Sequence, residues 1–211
     1  MAYLLDNSNG RFLSSSISLL TCAGASLLTI PCSHTLEALN FVLGDFAYLS
    51  ANLANRRTTA TIQETGETVP FTAADQILIQ GALKSGAVAS IHYRGGAAKG
   101  GIDYHWEIEG EQGIIMFKGS NGPQVLDIFF TLPERKLTRL KRILPAMYLN
   151  GEQIQHREDK EDRLGNIGRE YEAFAEKDPA HYVDFDHAVA RHKIIEAIEQ
   201  SSKADGKRIN F

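Results

Sequence analysis

His34 and Glu37 are the residues of this sequence best placed to do chemistry. They stand three apart, so on a helix they share one face. Ser33 is a good N-cap residue, Gly44 is a good residue to end a helix, and HTLEALNFVL runs between them. With Ser33 as the cap, His34 is the first helical residue and sits at the helix mouth. A neutral imidazole there can act as general acid or base, or ligate a metal. The plainer reading is a histidine that packs or hydrogen-bonds at a helix start. A metal is disfavoured, because no second cluster of His, Cys or Asp completes a site. His92 falls mid-strand and His105 falls on a polar strand face. His187 and His192 lie five apart and do not share a helix face. Each of these four reads as structural or solvated.

Other chemistries lack their parts. A dinucleotide cradle needs a strand, a Gly-x-Gly-x-x-Gly turn and a helix whose N-terminus takes the pyrophosphate. The glycine clusters are Gly95-Gly96 with Gly100-Gly101, and Gly165 with Gly168. The first lies between strands and the second has the wrong spacing, so no cofactor is expected on this chain alone. With 211 residues and a net charge of −4, the chain has no basic footprint for direct nucleic-acid binding. Lys136, Arg139, Lys141 and Arg142 precede Glu158, Asp159, Glu161 and Asp162, and together they read as a solvated loop. Two cysteines, Cys22 and Cys32, make no disulfide framework and suit a reducing compartment, in the cytoplasm or nucleus. Phe12 to Ala25 loosely resembles a secretory signal. Its three consecutive serines and the Asp6 upstream fit poorly. A membrane span needs about 20 apolar residues and is not expected.

The elements that must position His34 follow from periodicity. HTLEALNFVL is apolar on nearly every side, so the first helix is expected to be buried. Thr58–Ile62, Gln76–Leu83 and Ala87–Arg94 are strand-like, the last two joined as a hairpin through Lys84-Ser85-Gly86. Ile102, Tyr104, Trp106 and Ile108 alternate with charged residues, which predicts one apolar and one wet face. Ile114–Lys118 and Val125–Leu132 add two strands. Helices return around Ile167, Tyr171 and Phe174, and again from Phe185 to Ile195, the second capped by Asp184 and ended by Gly206. Ile209–Phe211 can add a last strand. Residues 133–164 read as a long polar loop. The fold class is α+β: an open, largely antiparallel sheet with helices packed on one face. Trp106 and Tyr104 are expected in the core. Tyr93, Phe129 and Phe130 are candidates for an interface on the sheet's second face.

LLTIPCSHTLEALNFVLGDF (Leu27 to Phe46), NRRTTATIQETGETV, DQILIQGALKSGAVASIHYRGG, WEIEGEQGIIMFKG and the tail KADGKRINF together resemble the C-terminal domain of the glucose–fructose oxidoreductase, inositol dehydrogenase and MocA family. They are most similar to its fungal branch containing the galactose-regulon repressor. The resemblance implies that 25–211 is one α+β substrate and dimerisation domain. It implies a homodimer through the open sheet and, in the repressor branch, a transcriptional regulator as protein partner. NAD or NADP is expected only with an N-terminal Rossmann domain that this chain lacks. The resemblance also implies that His34 stands where the family's catalytic histidine stands, with Glu37 at the position of its second aspartate. The Asp-x-Gly that precedes that histidine is replaced by Thr29-Ile30-Pro31-Cys32-Ser33. The expected function is therefore an isolated, non-catalytic C-terminal domain serving dimerisation or partner binding. The alternative is a fragment of an NAD(P)-dependent sugar or polyol dehydrogenase that uses His34. Ala2 to Gly10 resembles the family segment that runs directly into Ala25-Ser26-Leu27, so residues 11–24 read as a foreign insertion within an N-terminal segment, 1–24.

Overall fold

Strands of alternating burial build most of the molecule, because a half-buried strand must send successive side chains to opposite faces. The computed structural model describes residues 2–6, 11–12, 24–62, 65–95, 104–119, 126–131, 138–140, 162–178 and 182–211. Two short N-terminal strands, β1 (Ala2–Asp6) and β2 (Arg11–Phe12), come first. A π-helical turn over Leu28–Cys32 then leads into α1 (Ser33–Leu43). The strands β3 (Phe46–Ala54), β4 (Thr59–Ile62), β5 (Thr68–Pro70), β6 (Gln76–Leu83), β7 (Val88–Gly95), β8 (Tyr104–Gly110), β9 (Gly113–Gly119), β10 (Leu126–Thr131) and β11 (Thr138–Leu140) follow. Helices α2 (Asp162–Glu176) and α3 (Phe185–Lys203) and strand β12 (Ile209–Asn210) close the chain.

Nine strands form one sheet in the order β11-β10-β9-β8-β1-β7-β6-β3-β12, and β2-β4-β5 form a second. Every pairing is antiparallel except β1 with β7 and β2 with β4. The α+β layout with an open, largely antiparallel sheet is therefore what the structure has. Ile77, Ile79 and Leu83 of β6, Ile91 and Tyr93 of β7, and Tyr104 and Trp106 of β8 are buried with Leu36 and Leu39 of α1 and Ile194, Ala197 and Ile198 of α3. Full burial of one such aliphatic side chain stabilises the fold by roughly 1.5–3 kcal/mol. Trp106 stacks on its cross-strand partner Phe117 with ring centroids 5.0 Å apart. On β3 the buried residues switch from Phe46 to Leu49, because the register shifts between Phe46 and Tyr48. At that bulge β3 lies so close to β6 that a Cβ on Gly81 would meet the Tyr48 carbonyl oxygen at 2.2 Å.

The edge of β3 is closed by α3 as well as by β12. The Ala51 amide donates to Ser201 Oγ at 2.8 Å, and that hydroxyl donates to the Lys207 carbonyl at 2.7 Å. The Leu53 amide donates to Ser202 Oγ at 2.9 Å. Edge amides that would otherwise template another strand are thus occupied by helix hydroxyls. The chain divides into two compact units, one of Met1–Lys141 with Ile194–Phe211, the other of Arg142–Lys193.

Several expectations change. β1 is a strand within the sheet, which the sequence reading did not anticipate. Thr138–Leu140 pairs with β10, inside the stretch read as a polar loop; the rest of that stretch up to 161 lies outside the described residues, and α2 begins at Asp162. Arg11–Phe12 pairs with Thr61–Ile62, so these two residues of the 11–24 segment join the small sheet, while 13–23 lie outside the described residues. Tyr93 is 4% exposed and belongs to the core, not to an interface. It shares parity with Ile91 on β7, and that decides its face. The side chains of Phe129 and Phe130 lie outside the described residues.

Candidate functional site

Helix α1 carries the candidate pair, and its start differs from the expected one. Ser33 is not an N-cap, because helical backbone already runs through Cys32. The cap is Ser26. Its hydroxyl accepts from the Thr29 amide at 3.2 Å, and its own amide donates to Thr29 Oγ1 at 2.8 Å. That is a reciprocal capping box with threonine in the usual Glu position. Pro31 then explains the π turn. It has no N–H to give the Leu27 carbonyl, so the Cys32 amide, one residue later, donates there at 3.0 Å. Ser33 Oγ donates to the Thr29 and Ile30 carbonyls, both at 2.8 Å. His34 therefore stands two turns into a helical run, away from its N-terminus and its unpaired amides.

His34 is exposed, and Glu37, one turn on, is partly buried. The face around His34 is apolar. Ile30 is 47% exposed, Phe41 67% and Val42 51%, with Ala38 exposed among them. At spacings of three and four these residues make one stripe. The expectation that α1 is buried all round is thus corrected. Its other face, with Leu36 and Leu39, joins the core, and the His34 face is the more exposed one. On the buried side Asn40 is 6% exposed, and neither amide atom has a hydrogen-bond partner among the described residues. Cys32 is fully buried, and burial pushes its thiol up to about 12, so it is inert.

A second polar group lies where β3, β6 and β7 meet the small sheet. Asp75 is buried. Its Oδ1 accepts from the Arg56 amide at 2.8 Å, and Arg57 Nε stands 3.7 Å from its Oδ2. Arg57 Nη2 donates to the Gly95 carbonyl at 2.9 Å, and Asn55 Nδ2 donates to the Phe71 carbonyl at 2.6 Å. Each of these bonds joins one connection to another, so the cluster acts as a strut between sheets. Sequence reading passed over Asp75. The available signal was a lone carboxylate directly before an apolar strand.

The open face of the sheet carries His92 and His105. His92 Nε2 lies 3.2 Å from Gln76 Oε1, and His105 Nε2 lies 3.9 Å from Glu107 Oε2. Burial, then Arg94, lowers the His92 pKa; burial, then Lys118, lowers that of His105 against an opposing pull from Glu107. Neighbours on this face include Gln80 and Ser90. The exposed Leu78 and Val88 stand on the same face, so it is mixed. Among the described residues, no three His, Cys, Asp or Glu side chains come together to hold a metal. None of their helices is long and apolar enough to cross a membrane.

A family model described as Gal80p, C-terminal domain, matches residues 10–119, just over half of the chain. The chain belongs to the Gal80p C-terminal-domain-like family. Its fold is similar to that of the transcriptional regulator Gal80p from Kluyveromyces lactis, with a TM-score of 0.76 at 20% identity over 99% of this chain and 52% of that one. An NAD-binding oxidoreductase from Klebsiella pneumoniae gives a TM-score of 0.73 at 18% identity over 99% of this chain and 57% of that one. Levoglucosan dehydrogenase in complex with NADH and L-sorbose gives 0.72 at 18% identity, with the same coverage of 99% and 57%. The chain thus spans about half the length of these solved relatives. No curated protein sequence matches it.

The described residues do not fit a dinucleotide cradle. The Ser26 start is closed by its own hydroxyl box, and α3 opens on Asp184 and Asp186. Carboxylates at a helix N-terminus repel a pyrophosphate that the helix dipole would otherwise attract.

Proposed function

We propose that this chain is the C-terminal, partner-binding part of a Gal80p-like regulator, non-catalytic by itself. The observation that carries this reading is the surface around His34. An acid–base site needs a polar, positioned partner for its imidazole. Here the imidazole stands on an exposed apolar stripe of Ile30, Ala38, Phe41 and Val42, which is the chemistry of a protein contact. The stripe would cover itself against a nucleotide-binding half, as the double length of the solved relatives suggests, or against a regulator protein. The open face of the large sheet is the proposed homodimer surface, with Leu78 and Val88 exposed beside His92, His105 and Glu107. NAD or NADP would bind the other half. The proposed location is the cytoplasm or nucleus. Residues 11–24 remain proposed as an insertion into the family pattern.

A second reading is a dehydrogenase fragment that uses His34 as acid or base, with Glu37 beside it. It is favoured by the likeness to levoglucosan dehydrogenase and by the one-turn spacing of the pair. One experiment separates the two. The purified chain is titrated with NAD and NADP in a calorimeter, and a form joined to a nucleotide-binding half is assayed with sugars alongside its His34→Asn variant. The regulator reading expects no turnover and no binding tighter than about 100 μM, roughly −5.5 kcal/mol. Turnover that His34→Asn abolishes would overturn it in favour of the dehydrogenase.

A further inference from the structure

β1 is the middle strand of the large sheet, with four strands on either side of it. His92 on β7 and His105 on β8 both stand opposite Tyr3 of β1. The two histidines therefore flank the centre of the open face in one cross-strand row. Leu78 of β6 continues the row beyond His92. Lys118 of β9 and then Asp127 of β10 continue it beyond His105. Both histidines are partly buried.

Two copies packed face to face are related by a twofold axis that lies in the interface. An axis through the sheet's centre along β1 sets His92 of one copy against His105 of the other. An axis along the row sets each histidine against its own counterpart. About either axis, imidazole meets imidazole at the middle of the contact. Neutral imidazoles can pack there or share a hydrogen bond, since each has one donor and one acceptor nitrogen. Protonated ones are donors only, repel each other, and are costly to strip of water. The groups around them act on the same balance. Burial, Arg94 on β7, Lys118 on β9 and the chain's amino terminus favour the neutral forms, against Glu107 beside His105. β6 offers His92 only uncharged neighbours, Gln76 at 3.2 Å and Leu78. Glu107 lies one row off, so neither axis brings it opposite an imidazole. Given the homodimer proposed above, on which this rests, we propose that His92 and His105 form an acid-sensitive latch between the two sheets, closed while neutral and opened by protonation.

The test is sedimentation equilibrium of the whole chain at pH 7.5 and pH 5.5 and one ionic strength. Circular dichroism confirms that the fold is intact at both. The dimer dissociation constant is expected to rise at least about tenfold on acidification, because the histidines of both copies must shed their protons before the faces meet. In the double variant His92→Gln with His105→Gln the rise should stay below about twofold, and each single variant should fall between. A dimer equally tight at both pH values overturns the latch and leaves the homodimer reading standing. An acid-weakened dimer that weakens as much in the double variant does the same. A monomer already at pH 7.5 overturns the homodimer reading itself, and the latch with it.

Discussion

On one face of the nine-stranded sheet stand Ile77, Ile79, Ile91, Tyr93, Tyr104 and Trp106, all under helices. On the other face of the same strands stand Gln76, Gln80, Ser90, His92, Arg94, His105 and Glu107. The two sets alternate residue by residue, so neither can be moved without moving the other. The covered set fixes the register through burial. The open set is then delivered at fixed places without having to stabilise anything. This division is open to direct test, because it makes covered-face substitutions expensive and open-face ones cheap.

The largest effect is expected at Gly81. Gly81→Ala places a methyl 2.2 Å from the Tyr48 carbonyl oxygen, so β3 must shift along with the buried Leu49. A loss above about 4 kcal/mol, or failure to fold, is expected. Ile79→Ala should cost about 2–5 kcal/mol by leaving a cavity under α1 and α3. Ser90→Ala, on the open face of the neighbouring strand, should change stability by less than about 0.5 kcal/mol. Urea denaturation of the three variants checks the order. An open-face cost as large as that of Ile79→Ala would break the division between the faces.

Ser201→Ala sharpens the comparison at the sheet's edge. It removes the acceptor of the Ala51 amide and the donor to the Lys207 carbonyl in one step. The buried Ala51 amide and the partly buried Lys207 carbonyl lose their partner, so a loss of about 1–3 kcal/mol is expected, with faster amide exchange at Ala51. Exchange unchanged at Ala51 would mean that the hydroxyl is not what closes this edge.

The faces of β8 were legible before the structure because Tyr104, Trp106 and Ile108 alternate there with His105, Glu107 and Glu109. Tyr93 was misplaced only where that rule was set aside in favour of its side-chain type. The start of α1 was legible only in part. Ser33 is a good cap in isolation, but Pro31 is tolerated in a helical run once the Leu27 carbonyl finds the Cys32 amide, and the Ser26–Thr29 box lies further upstream. That moved His34 from the helix mouth into its second turn. β1 was not legible, since a five-residue strand between β7 and β8 is specified by its neighbours' registers and not by its own pattern. Asp75 escaped notice because its partners, the Arg56 amide and Arg57, come from another connection.

The smallest effect separates the faces by pH. On the covered face, burial pushes Tyr104 up to about 12, and Cys32 beneath α1 likewise to about 12. Both stay neutral through the physiological range and add no pH dependence there. On the open face His92 and His105 are both held below the ordinary histidine value of 6.5, chiefly by burial and then by Arg94 and Lys118 respectively. The unfolded chain therefore binds their protons first as the pH falls. The stability that these two groups contribute is fully present above 6.5, and is lost as the pH drops through 6.5 towards their lower folded values. Glu107, which lies 3.9 Å from His105, opposes the shift there. Denaturation midpoints are expected to fall between about pH 7.5 and pH 5.5, and to fall less in His92→Gln and in His105→Gln, because each variant lacks one of the depressed groups. The discriminating measurement is therefore the slope in the double variant. If it still loses the same stability on acidification, the titrating groups lie off this face, and the contrast between a silent covered face and a titrating open one does not hold.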